Sequence, residues 1–294
     1  MYDIAFLGHY TQDTIVSAAG TRRVDGGAFN YGAHVAIRMG LRVAAITRLA
    51  REDLGVVQEL EHLGVVVRVQ VDRHSTCLRL VYPTANVDER TIHVTSTAEP
   101  FSRQDVEGVS ARATVVGASM RGEVPLAVMD ALAQEGGLVA ADVQGFLRVL
   151  QDGVLVPVPW PERDAVLACV DILKADAVEA ELLTGESDIH RAARALADLG
   201  PREIVLTHRR GVLVRADAHV HEAGFFPAKL VGRSGRGDTC LAAYTARRLT
   251  HSPAEATVWA AAVASLKMEA EGPFRRDISE VHDLIRRRYG AQAP

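Results

Sequence analysis

Gly232-Arg-Ser-Gly-Arg-Gly-Asp-Thr-Cys240 places three glycines and a carboxylate directly before an apolar-periodic stretch, Leu241, Ala242, Thr245 and Leu249. Glycines let a backbone approach a ligand closely and turn its N–H groups inward. A helix start behind them adds unpaired donors and the positive end of the helix dipole. The chemistry this favours is anion binding, and Asp238 stands at the edge of that site. A carboxylate beside a phosphate repels it unless it has a task. The task that fits is taking the proton of an attacking hydroxyl. Gly235-Arg-Gly-Asp238 also reads as an ordinary helix start with Asp near the N-cap. Its position, late in an α/β chain and after a strand region, favours the catalytic reading.

Other residues have the types and addresses for substrate or metal. Gly26-Gly27-Ala-Phe-Asn30 suits a polyol, whose hydroxyls need close backbone approach and mixed donors and acceptors; a capped loop is the plainer reading. Asp13, after the first strand, is placed to accept from the same hydroxyls. Asp176 and Glu179 lie three apart at a strand–helix junction, which suits Mg2+ held through water. A reciprocal helix cap explains that spacing equally well, and both hold together without conflict. Asp142 follows a central strand, where open α/β sheets bind ligands. Arg121, in Ser119-Met-Arg-Gly-Glu123, has a similar address for substrate or phosphate. His93, His208 and His219 read as surface or structural residues. Gly-x-x-x-x-Gly-Lys-Ser/Thr, a Gly-x-Gly-x-x-Gly after the first strand, His-Glu-x-x-His and Gly-x-Ser-x-Gly are all missing, which argues against P-loop, dinucleotide, zincin and α/β-hydrolase chemistry.

These residues need a scaffold, and the hydrophobic pattern supplies one. Strand-like runs at Ile4–Gly8, Val43–Thr47, Val65–Val71, Ala113–Gly117, Leu138–Asp142, Val170–Lys174 and Glu203–Thr207 alternate with helical ones. The helical runs are Phe29–Met39, Asp53–His62, Val124–Gln134, Pro161–Cys169, Ala177–Leu183 and Ile189–Leu199, with a capping-box start at Ser102–Asp105. Helices Asp238–Leu249, Ala254–Glu269 and Ile278–Arg288 finish the chain. Such alternation predicts a doubly wound, mostly parallel sheet with helices on both faces. Residues 14–24 and 76–97 have a different texture. Leu78, Leu80 and Tyr82 alternate with polar residues, Asn86-Val-Asp-Glu89 reads as a turn, and Ile92 and Val94 alternate again. They predict a small β-sheet lid outside a single α/β domain spanning 1–294.

The 294 residues are 48% hydrophobic, enough for a large core, with a net charge of −4. That balance offers no basic field for nucleic acid and no polybasic run for a membrane surface. Cys77, Cys169 and Cys240 lack metal-like spacing and read as reduced thiols, and no signal-peptide pattern opens the chain. The expectation is cytoplasmic.

In order along nearly the whole chain, Gly26-Gly27…Asn30, Asp176-Ala-Val-Glu179 leading into Leu182–Glu186, Ile204–Thr207 and Ser234-Gly-Arg-Gly-Asp238 resemble the motifs of the ribokinase-like, phosphofructokinase B-type carbohydrate kinases. The last resembles that family's Thr-Gly-Ala-Gly-Asp signature. The resemblance implies a ribokinase-like α/β body with a β lid, ATP, Mg2+ and transfer of the γ-phosphate to a hydroxyl of a sugar or related polyol. Nucleoside and inositol kinases of the family, or a non-catalytic metabolite-binding member, are the alternatives. It implies Asp238 as base, with backbone amides of Gly235, Arg236 and Gly237 as the anion hole. Asp176 and Glu179 take the metal role, and Asp13, Gly26, Gly27 and Asn30 bind the acceptor. Thr207, Gly211 and Ser234 lie on the nucleotide side. It further implies lid closure, and the exposed lid sheet suggests a homodimer. Five departures stand out. Gly232 replaces an Asp, Arg236 a small residue, and Asp176 an Asn. The Gly26–Asn30 spacing and the Thr207–Gly211 loop are each one residue short.

Overall fold

A computed structural model describes residues 1–18, 20–84, 90–232 and 234–290. Among them the strands are β1 (Tyr2–Leu7), β2 (Thr11–Ser17), β3 (Gly20–Asp25), β4 (Val43–Ala50), β5 (Val66–Asp72), β6 (Thr76–Val81), β7 (Thr91–Ser96) and β8 (Ala111–Val116). They continue as β9 (Leu138–Asp142), β10 (Arg148–Gln151), β11 (Val154–Pro157), β12 (Ile172–Asp176), β13 (Glu203–Thr207), β14 (Gly211–Ala216) and β15 (His219–Gly224).

Nine strands form the main sheet in the order β15-β14-β13-β12-β9-β8-β1-β4-β5. The pairs from β12–β13 across to β4–β5 are parallel, while β14 and β15 fold back antiparallel. From β1 the chain builds first toward β4 and β5, then returns to place β8 on the other side. The crevice between β1 and β8 is therefore the switch point at which open α/β sheets bind ligands.

The central strands are buried on both faces, which explains their nearly continuous apolar runs. One core layer joins Phe6, Phe29, Leu49 and Tyr244 to the helices Ala28–Arg38, Arg236–Arg248 and Pro253–Lys267. The other joins Leu7, Val116, Leu173 and Leu206 to the helices Leu126–Gln134, Ala177–Thr184 and Ile189–Ala197. Helix starts follow the sequence signals. Ser252 and Glu255 cap each other around Pro253, and Asp176 and Glu179 do the same at the end of β12, two strands beyond β8.

The lid is a six-stranded sheet, β10-β11-β7-β6-β2-β3. Leu80, Ile92 and Leu155 form its small apolar face, packed with Met120 of the body. It exceeds the expected 14–24 and 76–97 by the hairpin β10–β11. That hairpin turns on Asp152-Gly153, both with positive φ (48° and 79°). Asp-Gly between apolar runs is a strong hairpin signal. The antiparallel strands β14 and β15 were likewise not expected. The helix expected over Pro161–Cys169 is shorter, Arg163–Leu167. The turn read at Asn86–Glu89 lies outside the described residues. No helix among those described is long and apolar enough to cross a membrane.

Candidate active site

Gly235 adopts φ 73°, and a Cβ there would stand 2.3 Å from the ring of Tyr31. Only glycine fits that approach. A Cβ on Gly237 would stand 2.9 Å from the Lys174 ammonium. The turn is thus wedged between a buried aromatic ring and a buried cation, and the helix Arg236–Arg248 springs from it. Asp238 lies in the first turn of that helix. A Cβ on Gly117, just beyond β8, would stand 2.1 Å from the Ala28 Cβ and 3.8 Å from Asp238 Oδ1. The missing side chain at 117 therefore makes room for Ala28, at the start of the helix Ala28–Arg38, with the Asp238 carboxylate close by. Burial pushes its pKa up, while Lys174, Lys267 and Arg148 pull the other way.

The lid side gathers acceptors. A Cβ on Gly26 would stand 2.3 Å from Thr11 Oγ1 and 2.9 Å from Asp13 Oδ2, and one on Gly27 would stand 2.4 Å from the His9 carbonyl oxygen. Both glycines permit the lid strand β2 to close onto the start of the helix Ala28–Arg38. Asn30 Nδ2 donates to the Asp25 carbonyl at 3.3 Å. Asp13 Oδ1 and Asn30 Oδ1 are buried and have no protein partner. Buried oxygens of this kind call for donors, and polyol hydroxyls supply them. Burial pushes the Asp13 carboxyl up to about 7, helped by the charge of Asp238.

Under the turn lies a buried charge cluster. Lys174 Nζ donates to Asp142 Oδ2 at 2.8 Å and lies 3.8 Å from Glu179 Oε2. Arg148 approaches Glu179 Oε1 at 3.7 Å. Burial disfavours the Lys174 ammonium, but Asp142 and Glu179 hold its pKa above the usual range. Burial also pushes Asp142 and Glu179 up, against the pull of Lys174. Asp176 Oδ1 accepts from the Glu179 amide and Glu179 Oε2 from the Asp176 amide, each at 2.8 Å. The reciprocal cap is thus present, and Glu179 Oε1 is left buried without a hydrogen bond. No group of three or more potential metal ligands occurs among the described residues. Glu179 Oε1, which makes no hydrogen bond, together with Asp176 fits a hydrated divalent cation held through water.

On the other side of the turn, Thr207 ends β13, and the His208 amide donates to the Gly211 carbonyl at 2.9 Å. A cavity of about 560 Å3 opens there, bordered by His208, Arg210, Gly211, Phe226 and Arg288. Lys267 is buried and donates to the carbonyl oxygens of Gly232 and Ser234. The Arg236 guanidinium lies 5.5 Å above the Phe225 ring. Arg121 is directed elsewhere: its guanidinium donates to the carbonyls of Phe146 at 2.6 Å and Val158 at 3.0 Å, bracing the β10–β11 hairpin.

Asp13, Gly26, Gly27 and Asn30 thus lie together on the lid side, Asp142 and Glu179 gather around Lys174 under the 235–238 turn, and the charges of Asp13 and Asp142 both reach Asp238. Lys174, Arg148, Lys267, Tyr31 and Gly117 join them without having been anticipated. Lysine occurs only at 174, 229 and 267, and two of the three are buried here. That scarcity was the available signal.

The family model for pfkB carbohydrate kinases matches residues 4–276. The chain belongs to the pfkB family of carbohydrate kinases. This pfkB kinase is a phosphotransferase acting on a sugar or polyol. It is similar in structure to a pyrophosphate-dependent kinase of the ribokinase family complexed with a pyrophosphate analog and myo-inositol, at 32% identity over 95% of this chain and 99% of that one, with a TM-score of 0.88. A pyrophosphate-dependent myo-inositol-1 kinase converted into a myo-inositol-3 kinase is equally similar, at 32% identity, 95% and 98% coverage and TM-score 0.88. The ribokinase of Arabidopsis thaliana, complexed with ribose and ATP, shares the fold at 21% identity, 97% and 98% coverage and TM-score 0.78. No curated protein matches this pfkB kinase by sequence.

Proposed function

We propose that this chain transfers the terminal phosphoryl group of a phosphoanhydride to a hydroxyl of a cyclitol of the inositol type, with pyrophosphate as the donor. The observation that carries the reading is the position of Asp238. It is buried in the first turn of the helix that springs from Gly235, over Lys174, and its charge reaches Asp13, whose Oδ1, like Asn30 Oδ1, is buried without a partner. The two acceptors hold the polyol. Asp238 takes the proton of the attacking hydroxyl as its oxygen forms the new bond to phosphorus. The bridging P–O bond breaks and orthophosphate leaves. Amides of Gly235, Arg236 and Gly237 receive the charge of the transferred group, each well-aimed donor being worth roughly 3 kcal/mol. Lys174 balances that charge from below. Glu179, with Asp176, would hold a hydrated Mg2+, which neutralises phosphate charge when bound.

The acceptor and donor follow the relatives at 32% identity, whose names carry myo-inositol and pyrophosphate. ATP, the donor of the wider family, is the second reading, favoured by the cavity beyond Gly211. Phosphorus NMR of reactions offering pyrophosphate or ATP to inositols, sugars and nucleosides tests both. An inositol phosphate formed from pyrophosphate is the expected product. No transfer from either donor to any acceptor refutes the assignment.

A further inference from the structure

Tyr31 follows Asn30 in the helix Ala28–Arg38 and is 2% exposed. Its ring is the wall against which Gly235 packs, and Lys267 Nζ lies 5.5 Å from the ring centre. A phenylalanine would serve both contacts, so neither explains the hydroxyl. Buried phenols usually find a hydrogen-bond partner. Tyr31 OH makes no hydrogen bond among the described residues. Burial pushes its pKa up, the charges of Asp13, Asp238 and Glu271 add to the shift, and the nearby Ser234 side chain eases it. The phenol therefore stays protonated at neutral pH and keeps its proton to donate. Of the carboxylates, Asp13 acts on it most strongly. That is the carboxylate whose own Oδ1 is buried without a partner. A donor and an acceptor thus lie in one another's field without bonding each other. Asn30 Oδ1, on the residue before Tyr31, is a second buried acceptor of the same kind.

We propose that the Tyr31 hydroxyl is a specificity-determining donor for the polyol, binding an oxygen of the acceptor beside Asp13; this rests on the acceptor pocket assigned above. Ionised Asp13 and Asn30 Oδ1 accept, so they read the O–H protons of a substrate and leave its lone pairs unread. Each substrate hydroxyl carries one proton and two lone pairs. A hydroxyl that donates to Asp13 Oδ1 and accepts from Tyr31 leaves neither protein group unpaired. A site built this way rejects an analogue lacking that oxygen, because the phenol and the carboxylate both stay buried and unsatisfied.

The test compares wild type with Tyr31→Phe, which keeps the ring against Gly235 and removes one oxygen. Three readouts are used: thermal melting, steady-state transfer from pyrophosphate and from ATP to myo-inositol, ribose and fructose, and calorimetric binding of the same polyols. Expected for Tyr31→Phe is a melting temperature equal to or above wild type, since the lost hydroxyl has no partner to lose. The KM and the calorimetric Kd of the accepted polyol should rise tenfold or more, with the donor KM within twofold. Monodeoxy analogues of that polyol then locate the contact. One analogue should bind wild type at least as weakly as the parent polyol binds Tyr31→Phe, and the variant should bind that analogue within twofold of wild type. An acceptor KM and Kd unchanged in Tyr31→Phe overturn the inference. So does a tenfold loss that persists in full with every deoxy analogue, because the phenol then reads none of the hydroxyls. Should no donor support turnover, the phosphotransfer reading fails, and the calorimetry alone still decides whether Tyr31 holds a polyol. A wild type that binds none of the three polyols overturns the inference and leaves family membership intact.

Discussion

Asp238 and Asp13 are two buried carboxylates within each other's field, and both resist ionising. A base must be ionised to work, so kcat/KM should rise with pH through the raised pKa values and level off above them. Asp238→Asn should lower turnover by about 10²–10⁴-fold, while calorimetry still registers donor binding. A variant near wild-type rate removes Asp238 as the base. Asp13 makes a stability prediction of its own. Its folded pKa of about 7 exceeds the ordinary 3.8, so the folded state holds the proton more tightly. Stability is then lost as pH rises from about 4 to about 7. Asp13→Asn cannot ionise and should melt higher than wild type at pH 8. That advantage should shrink on acidification and vanish near pH 4, while the polyol KM rises at every pH. Equal melting temperatures at pH 8 would sink this account.

The turn at 235–237 and the helix behind it form the element that converts sequence into site. Gly235→Ala meets both positive φ and the Tyr31 ring. The backbone strain alone is on the order of 1–3 kcal/mol, so urea unfolding should show at least that loss, together with loss of transfer. An alanine tolerated without either effect would mean the turn is not held as described. Much of this was legible in the chain, because glycines beside an Asp and an amphipathic stretch advertise their local conformation. Gly26, Gly27 and the Asp176–Glu179 cap were legible for the same reason. Lys174 and Lys267 were not. A lysine becomes an active-site cation only when its strand is central or its helix end is covered, and neighbouring residues do not specify that. Arg121 shows the converse: its address was right, but two backbone carbonyls claim its guanidinium. The β10–β11 hairpin was readable from Asp152-Gly153, yet the surrounding alternation of strands and helices masked it.

At the scale of the molecule, the lid meets the body through Arg22 of β3, which pairs with Glu271 at 2.8 Å. Glu271 also sits against Gly232, where a Cβ would stand 2.8 Å from its carboxylate. The pair is half-exposed, and such pairs are worth about 0–1 kcal/mol. We propose that it helps hold the lid against the body. Arg22→Ala should raise the acceptor KM a few-fold and increase hydrolysis of the donor by water, measured as phosphate release without acceptor. No change in that background would deny the latch. β3 is an edge strand bearing Arg22 and Arg23, charges of the kind with which edges discourage pairing. Light scattering at working concentration tests the expected lid-to-lid dimer, and a monomer ends it.

Because Lys174 and Lys267 are buried beside the 235–238 turn, Lys229 is the one lysine side chain left on the exterior. Amine-directed reagents such as succinimidyl dyes should therefore modify the folded enzyme at that residue and the α-amino group, and tryptic mapping after labelling should find little else. Fluorophores, tethers and immobilisation surfaces can be attached in a nearly uniform orientation without engineering the chain.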